Sequence, residues 1–316
     1  MPSQVKTTSD VRRIERFYQG YKLDYELVAM LLAFCIPKGK VKISMDRTEW
    51  QFGSNWYNIL AVTVNYGTVG IPIWVEILKK RRGNSNAKER KKVMKKVFKM
   101  LGKDRIAGFF ADREFVGDKW IKFLLKKQIP FYLRLKNNQY FELDGQRHQI
   151  KKYFKGHQKL NLDNVYIYQT FLSLAITKTE DEDDIMAILT NTQAKYAIKR
   201  YKKRWTIEVL FQSLKKRGFD MESTHLQHAK RVRKLFMLCS LAFALCFAVG
   251  FYRHLKISPI PVKNHGYKAN SIFRSGLDFI REALKLNFDI SNIFKELFKE
   301  AKIRLQYFYL YSSFVG

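Results

Sequence analysis

Two stretches decide the fold of this chain: KVKISMDRTEW at residues 40–50 and IAGFFADREF at residues 106–115. Each holds a short apolar run, typical of a buried β-strand, that is followed at once by an aspartate. Asp46 follows the predicted strand 41–45, and Asp112 follows the predicted strand 106–111. Because a charged side chain is costly to bury, we expect each carboxylate to project from a strand end.

The segments around these strands predict a mixed α/β fold. Three strand-like runs with Gly-containing turns predict an antiparallel meander: 41–45, 56–66 and 71–78. Helices and strands then alternate: a helix at 87–101, a strand at 106–111, a helix at 118–127 and a strand at 131–135. A meander followed by such alternation gives a mixed sheet flanked by helices, as in RNase H-like folds.

The rest of the chain predicts helical ends and a β-rich insertion. Residues 7–36 have helical periodicity, and a helix is predicted at 194–216. Strand-like runs at 140–143, 165–177 and 185–191 form the insertion, which directly precedes the helix predicted at 194–216. We divide the chain into five parts: a short helical N-terminal segment (1–38), the first part of the RNase H-like core (39–136), the β-rich insertion (137–192), the second part of the core (193–256) and a C-terminal helical region (257–316). Amphipathic helices are predicted in the last part at 278–286 and 293–305.

The charge of the chain indicates a polyanionic partner. Lys and Arg number 59 against 28 Asp and Glu, which gives a net charge of +31. Cations gain affinity for nucleic acid by releasing counterions from its phosphates. The basic residues lie in short runs along the chain: 79–82, 88–96, 199–204, 215–217 and 230–234. For any single run a solvated helix face is an equal alternative, and an anionic membrane surface is the other candidate partner.

Cysteine content and hydropathy exclude several other classes. The three cysteines, Cys35, Cys239 and Cys246, form no C-x-x-C pair, so neither a disulfide framework nor a zinc finger is indicated. A reducing intracellular compartment is expected. The apolar run 235–251 is at the lower length limit for a membrane span, and its small residues favour a helix buried in a core.

A third carboxylate lies in the helical stretch YKKRWTIEVLFQSLKK at 201–216. On an ideal α-helix Arg204, Glu208 and Lys215 lie roughly 60°, 20° and 40° from Tyr201, so the four residues share one face. Such a face presents a metal ligand beside cations that bind phosphate and a ring that stacks on bases. Taken alone, a solvated face with an Arg204–Glu208 pair is the slightly favoured interpretation, and an Asp after a strand is more often a turn or cap residue.

The spacing of these four residues resembles the YREK signature of the insertion sequence four family of DDE transposases, and the similarity extends over residues 40–255. The resemblance implies that Asp46, Asp112 and Glu208 are catalytic residues that hold two Mg²⁺ ions, for which Mn²⁺ can substitute. It further implies that the DNA-binding residues are Tyr201, Arg204 and Lys215, together with the neighbouring Lys216 and Arg217.

The same resemblance implies cut-and-paste transposition. Its partners are double-stranded DNA of the transposon ends and the target, bound by a homodimer that assembles on DNA. The expected location is the cytoplasm, in association with the bacterial nucleoid. Only 45 residues precede Asp46, so we expect a shortened end-recognition region. Two alternatives remain: an RNase H-like nuclease without strand transfer, and a catalytically inactive DNA-binding protein derived from a transposase.

Other residues carry weaker signals. Relatives that form a DNA hairpin stack a flipped base on an aromatic residue, often a Trp, and residues 138–192 contain no Trp. The aromatic candidates in that segment are Tyr140, Tyr153, Phe154, Tyr166, Tyr168 and Phe171. Glu49 and Glu114 lie near the aspartates and are either supporting groups or surface residues. The acidic run 180–184 is interpreted as a solvated turn.

Overall fold

The first β-hairpin carries the first of the two aspartates. The computed structural model describes residues 7–34, 36, 39–179, 184–264 and 266–296. Strand β1 (Val41–Phe52) pairs antiparallel with β2 (Asn55–Tyr66), and this pairing continues from Asp46↔Ala61 to Phe52↔Asn55. The predicted end of the strand at Met45 is therefore wrong. The strand continues because β2 still supplies hydrogen-bond partners after the strand on its other side has ended.

These two strands belong to a ten-stranded sheet whose order is β3-β2-β1-β4-β5-β10-β9-β8-β6-β7. The other strands are β3 (Val69–Ile77), β4 (Ile106–Ala111), β5 (Phe131–Arg134), β6 (Tyr140–Leu143), β7 (Gln146–Gln149), β8 (Lys159–Ile167), β9 (Thr170–Lys178) and β10 (Ile185–Thr190). The pairs β1–β4 and β4–β5 are parallel, and the other pairs are antiparallel. A meander joined to parallel strands confirms the predicted RNase H-like mixed sheet.

The helices are α1 (Thr7–Gly20), α2 (Tyr25–Phe34), α3 (Ala87–Leu101), α4 (Asp118–Lys126), α5 (Ile150–Tyr153), α6 (Ala197–Tyr201), α7 (Trp205–Gln212), α8 (Ala229–Lys256) and α9 (Ile272–Leu286). By its contacts the chain forms two compact units. We call Lys38–Phe211 the sheet unit, and Met1–Pro37 together with Gln212–Gly316 the helical unit. The five-part division predicted above stays a prediction.

The connections on either side of β4 are amphipathic helices. α3 begins at a capping box, in which Asn86 accepts from the Glu89 backbone N–H and the Glu89 carboxylate accepts from the Asn86 N–H. It buries Val93, Met94 and Val97, and α4 buries Trp120, Ile121 and Leu124. Burial of these apolar faces is the main source of their stability.

The predicted single strand at 165–177 is wrong, since this stretch lies in a hairpin. β8 and β9 pair antiparallel across a two-residue turn at Tyr168 and Gln169, both of which have positive φ. This backbone suits a tight hairpin because its twist matches that of the strands. Neither residue is the Asn-Gly or Asp-Gly pair that usually marks such a turn, so the sequence carried no turn signal.

The predicted helix at 194–216 is confirmed, although its helix type changes along the stretch. The structure has a 3₁₀ turn at Ala194–Tyr196, then α6, a second 3₁₀ turn at Lys202–Arg204, α7 and a π-helical segment at Ser213–Arg217. A 3₁₀ turn overwinds the chain and a π turn underwinds it. Angles measured on an ideal α-helix therefore do not hold across the whole stretch.

The helical unit contains the N-terminal and C-terminal helices. The predicted helical segment 7–36 is divided at Asp24, whose carboxylate caps α2 by accepting from the Glu26 and Leu27 N–H groups at 2.9 and 3.0 Å. Among the described helices only α8 is long and apolar enough to cross a membrane, and half of its most apolar window is buried within the protein. Cys239 and Cys246 on α8 are free thiols.

Two glycines allow α8 and α9 to approach closely. A Cβ atom on Gly276 would lie 1.8 Å from the Cys246 carbonyl oxygen, and one on Gly250 would lie 2.0 Å from the Ile272 oxygen. α9 starts at Ile272, earlier than the predicted residue 278. Of the predicted helix 293–305 only residues 293–296 are described, and these are helical. Of the acidic run 180–184 only Asp184 is described.

Candidate active site

The register of the parallel strands brings Asp46 and Asp112 together. The last paired residues of β1 and β4 are Met45 and Ala111. Asp46 and Asp112 are the next residue on each strand, so both leave the parallel pair at the same edge of the sheet. The Asp112 carboxylate is close enough to raise the pKa of Asp46. The prediction that the two aspartates sit at neighbouring strand positions therefore matches this geometry.

An ion-pair network fixes the backbone next to both aspartates. Arg47 donates through Nε to Glu114 Oε2 at 2.7 Å and through Nη1 to Glu49 Oε1 at 2.5 Å. The other oxygen of Glu114 accepts from Ser85 Oγ at 3.0 Å, and Arg90 Nη2 donates to the Glu114 carbonyl at 2.7 Å. The network ties the residue after Asp46 to the turn after Asp112. Glu49 and Glu114 are thus supporting groups, and no sequence pattern indicated Arg47, Ser85 or Arg90.

The helical stretch that carries Glu208 is held against the sheet by small residues. Ala194, Ala197 and Tyr201 pack in one cluster with Phe110 and Tyr132 of the sheet. On the other side, a Cβ atom on Gly70 of β3 would lie 3.0 Å from the Thr206 carbonyl oxygen. A glycine at this position therefore lets α7 lie close to β3. This packing fixes the position of Arg204 and Glu208 relative to the end of the parallel β1–β4 pair.

Asn65 fixes the 3₁₀ turn that precedes α7. Its Nδ2 donates to the Lys203 carbonyl at 3.1 Å, and its Oδ1 accepts from Ser44 Oγ of β1 at 2.9 Å. This turn presents the Arg204 side chain to β1. The link contacts the stretch where its hydrogen bonding is 3₁₀, at Lys202–Arg204.

Arg204 lies at the centre of the site. Its Nη1 donates to Asp46 Oδ2 at 3.2 Å, and its Nη2 forms a short hydrogen bond with Glu208 Oε1 one turn further along the chain. The Asp112 charge also acts on this guanidinium. The Arg204 side chain is only 10% exposed, so these ion pairs are screened little by solvent. The Asp46 and Glu208 carboxylates thus contact one guanidinium, with Asp112 close by.

Burial dominates the electrostatics of Asp46. Loss of solvent raises its pKa to about 7, against the lowering effects of Arg204 and of the Arg47 N–H that donates to Oδ1 at 2.8 Å. The negative charges of Asp112 and Glu114 raise it further. Tyr201, also buried, has a pKa above its usual range for the same main reason, and its hydroxyl lies 3.5 Å from Asp112 Oδ1. The site therefore lacks positive charge relative to its carboxylates.

The donor set agrees with a hard divalent cation, although the side chains are not arranged as a ligand set. Carboxylate oxygens are the ligands that Mg²⁺ and Mn²⁺ prefer. Within the described part of the chain, no three His, Cys, Asp or Glu side chains are grouped to hold a metal ion. The Arg204 guanidinium contacts two of the three carboxylates instead. The roles of Asp46, Asp112 and Glu208 as metal ligands remain a prediction.

Of the predicted DNA-binding residues, Tyr201 and Arg204 lie together, with the Arg204 guanidinium 5.6 Å from the Tyr201 ring centroid. Tyr201 is 3% exposed, and Arg204 faces the carboxylates. Lys215 lies on the π-helical segment of the helical unit, where its Nζ is 3.5 Å from Glu222 Oε1. The side chains of Lys216 and Arg217 lie outside the described residues. The common face predicted for Tyr201, Arg204, Glu208 and Lys215 stays a prediction.

Arg134, which lies at the rim of the site, was not predicted from the sequence. Arg134 follows the apolar part of β5, at the next position along the same sheet edge, because Ala111 pairs with Leu133. It donates to Asp184 Oδ2 at 3.2 Å, and its charge acts on Tyr201. Its place directly after a buried strand run is the signal that also marked Asp46 and Asp112.

The insertion exposes some of its aromatic residues and buries others. Tyr166 and Phe171 are a cross-strand pair, with ring centroids 5.2 Å apart, and they are 38% and 63% exposed. Tyr140 is also exposed, with Arg147 over its ring. Phe154 is buried. Tyr153 packs on Phe141 and His148, and the Tyr168 hydroxyl donates to Gln139.

The comparisons with known proteins identify the family. The model of the transposase DDE domain family matches residues 37–246. This match covers more than half of the chain, so the chain belongs to the transposase DDE domain family. Asp46, Asp112 and Glu208 all lie inside the matched range. No curated protein matches the chain.

Two solved structures are distantly similar. One is the piggyBac transposase in a synaptic complex with hairpin DNA, at 11% identity and a TM-score of 0.44, which covers 92% of this chain. This chain spans 64% of the length of that transposase. The other is endonuclease V from Bacillus subtilis, at 9% identity and a TM-score of 0.31, with 65% of this chain and 90% of that chain covered.

Proposed function

We propose that this protein is a DNA transposase that cuts transposon ends and joins them to target DNA by cut-and-paste transposition. One observation carries the proposal: within a transposase DDE domain, Asp46 and Glu208 contact the guanidinium of Arg204, with Asp112 close by. Two of these carboxylates leave neighbouring parallel strands at one sheet edge. Phosphoryl transfer requires concentrated negative charge that can hold divalent cations at one place.

We assign the chain to the insertion sequence four group on the spacing of Tyr201, Arg204, Glu208 and Lys215. In this proposal Asp46, Asp112 and Glu208 would hold two Mg²⁺ ions, or Mn²⁺ in their place. Such ions would supply positive charge for phosphoryl transfer.

The protein's own residues prepare that site. The Arg47–Glu114 ion pair holds β1 beside Asp46 against the turn beside Asp112, which fixes the separation of their backbones. The Tyr201 hydroxyl contacts Asp112, and burial keeps that phenol neutral because its pKa is raised. Asp46 must lose its proton to act as a ligand, which its pKa of about 7 allows near neutral pH.

Arg204 has two tasks in this mechanism. It neutralises Asp46 and Glu208 when no cation is bound, and it would bind a phosphate of the DNA if cations took over those carboxylates. Its Nε is buried and has no hydrogen-bond partner among the described residues, so its present environment does not satisfy the guanidinium completely. A guanidinium with one unsatisfied N–H loses less free energy when it exchanges hydrogen-bond partners than one whose donors are all satisfied.

The partners follow from the charge and the chemistry. A net charge of +31 suits double-stranded DNA of both transposon end and target. We propose a homodimer assembled on DNA, in the cytoplasm and associated with the bacterial nucleoid. α8 is proposed to remain in the core of the helical unit, without contact to a membrane. The exposed Tyr166 and Phe171 are the aromatic residues of the insertion best placed to stack on an unpaired base.

The decisive experiment compares wild type with Glu208→Gln on a duplex that carries the sequences flanking the gene. With Mg²⁺ and a target duplex, wild type should produce cleaved ends and joined products. The variant should lose cleavage by orders of magnitude and keep or increase its DNA affinity, since it retains the shape and loses a negative charge. Glu142→Gln, an exposed carboxylate on β6, is the matched control and should cleave as wild type does.

The outcomes separate the three functions. Joined product supports the transposase. Cleavage without joining would assign a nuclease. If wild type and both variants bind DNA equally and none cuts with Mg²⁺ or Mn²⁺, the chain is a DNA-binding protein and the proposal is wrong.

A further inference from the structure

A second cluster of positive charge lies beside the candidate active site, on the same edge of the sheet. Ala111 and Leu133 are paired in β4 and β5, so the residues that follow these strands leave the sheet together. Arg113 comes directly after Asp112, and Lys136 comes shortly after β5. Both side chains line one cavity of about 340 Å³. That volume lies within the range of pockets that bind small ligands or parts of larger ones.

The lining of this cavity is cationic and rich in amides. Its lining residues are Arg113, Lys136, Asn137, Asn138, Gln149 and Lys151. Three of these side chains are positively charged and the other three are amides. The nearby carboxylate of Asp184 is already engaged, since it accepts from Asn137 Nδ2 at 2.7 Å and from Arg134 Nη2 at 3.2 Å. The cavity therefore offers an excess of positive charge and hydrogen-bond donors.

The backbone around the cavity is fixed by hydrogen bonds. The Gln139 N–H donates to the Lys136 carbonyl and the Lys151 N–H donates to the Asn137 carbonyl, both at 3.0 Å. The Ile150 N–H donates to the Gln139 carbonyl at 3.0 Å as well. These bonds join the turn after β5 to the end of β7. Cations carried on a fixed frame lose less entropy on binding than cations on a loose loop.

We propose that this cavity binds a backbone phosphate and the adjoining base edge of the DNA strand that passes the reaction centre. Guanidinium and ammonium groups bind phosphate oxygens, and Asn and Gln amides can pair with base edges. The cavity has no aromatic lining residue, so a stacked base is not its expected occupant. The inference rests on the proposed function, and it adds a site apart from the carboxylates and the helix that carries Glu208.

The test removes two of the positive charges at exposed positions. Lys136→Gln with Lys151→Gln leaves the carboxylates and their ion-pair network intact. The matched control is Lys95→Gln with Lys126→Gln, two exposed lysines on helices that lead into the amino ends of β4 and β5. Affinity for the duplex with the gene's flanking sequences is measured by fluorescence anisotropy over a range of NaCl concentrations. Thermal unfolding of both double variants checks that they fold.

The cavity variant should flatten the plot of log affinity against log salt by about two units, roughly one for each lost phosphate contact. The control should change the slope by less than half as much. Single methylphosphonate linkages are then placed along the duplex. In wild type, one or two positions should weaken binding, and those positions should have no effect in the cavity variant. Equal slopes for the cavity variant and the control, or the same sensitive positions in wild type and cavity variant, would overturn the proposal.

This inference and the proposed function can fail separately. If wild type cleaves and joins DNA but the cavity variant behaves like the control, the cavity site is wrong and the transposase stands. If no protein ever cuts but the cavity variant loses its salt slope and its sensitive phosphates, the cavity binds DNA and the catalytic proposal is wrong.

Discussion

Arg204→Met tests whether one guanidinium neutralises the buried carboxylates. Methionine retains an apolar chain of similar length and removes the charge and its hydrogen bonds. The Arg204, Asp46 and Glu208 side chains are 10%, 17% and 27% exposed. Removal of one member of a buried ion pair costs about 3–5 kcal/mol, and partial exposure reduces this figure. We expect a loss of about 2–4 kcal/mol, or a fall in Tm of roughly 5–15 °C for a unit of this size.

The dependence on pH gives a second readout. The pKa of Asp46 is already raised to about 7, above its ordinary value near 3.8, so the folded state holds a proton that the unfolded state has lost. Stability from this group falls as pH rises from about 4 through 7 and is constant above 7. Without Arg204 the pKa of Asp46 rises further. The decline should then continue above pH 7, and the difference between variant and wild type should grow towards pH 8.

Divalent cations should rescue the variant. A cation that binds the three carboxylates stabilises the folded state by about 2.7 kcal/mol at one hundred times its dissociation constant, which is enough to offset most of the loss. In wild type the cation must first displace Arg204, so the gain should be smaller. Differential scanning fluorimetry at pH 8, with and without Mg²⁺ or Mn²⁺, measures both effects without DNA or turnover.

Arg200→Met is the matched control for this experiment. Arg200 is exposed and donates to the Tyr132 hydroxyl at 2.6 Å, so its loss should cost about 1 kcal/mol and create no cation dependence. If Arg204→Met is as stable as wild type at pH 8, or if Mg²⁺ raises the Tm of wild type and both variants equally, Arg204 does not neutralise these carboxylates.

Two further predictions concern the helical unit. The buried ammonium of Lys234 donates to the carbonyls of Phe17, Tyr18 and Tyr21 at 2.9, 3.1 and 2.5 Å. Lys234→Met should therefore destabilise the unit by about 3 kcal/mol and speed amide hydrogen exchange in α1. Unchanged exchange in α1 would contradict this role. Gly276→Ala places a Cβ atom 1.8 Å from the Cys246 carbonyl oxygen and should lower the free energy of unfolding by about 3 kcal/mol or more, as measured by chemical unfolding. The control, Gly20→Ala, meets no atom within 4 Å and should change that free energy little. Equal unfolding midpoints for the two variants would show that α8 and α9 separate easily.

The sheet could be predicted because its buried strands are continuous apolar runs. β4 and β5 were placed to within about a residue, since both are short and covered on both faces. The end of β1 could not, because residues 46–52 pair only with β2 and carry polar side chains. The length of that strand is a property of the hairpin. It is not visible in the hydropathy of the strand itself.

The site was partly predictable for a related reason. The parallel pairing of β1 and β4 ends where their apolar runs end, and so Asp46 and Asp112 could be found from the sequence. The angles behind the predicted helix face were calculated for an uninterrupted α-helix, whereas the stretch contains a 3₁₀ turn and a π-helical segment. Arg47, Ser85 and Arg90 come from three different elements, and only the folded chain brings them to Glu114.

The charge balance of the site explains why an arginine occurs one turn before Glu208. When ionised, the carboxylates of Asp46, Asp112 and Glu208 carry three negative charges, and Arg204 supplies one positive charge, so two negative charges remain. Arg47 does not reduce this excess, because Glu49 and Glu114 already pair with it. Without Arg204 the folded chain would bring three carboxylates together with no counter-charge from this helix, which would lower its stability. With Arg204 the site folds before any cation binds, and it keeps an excess of negative charge that divalent cations would offset.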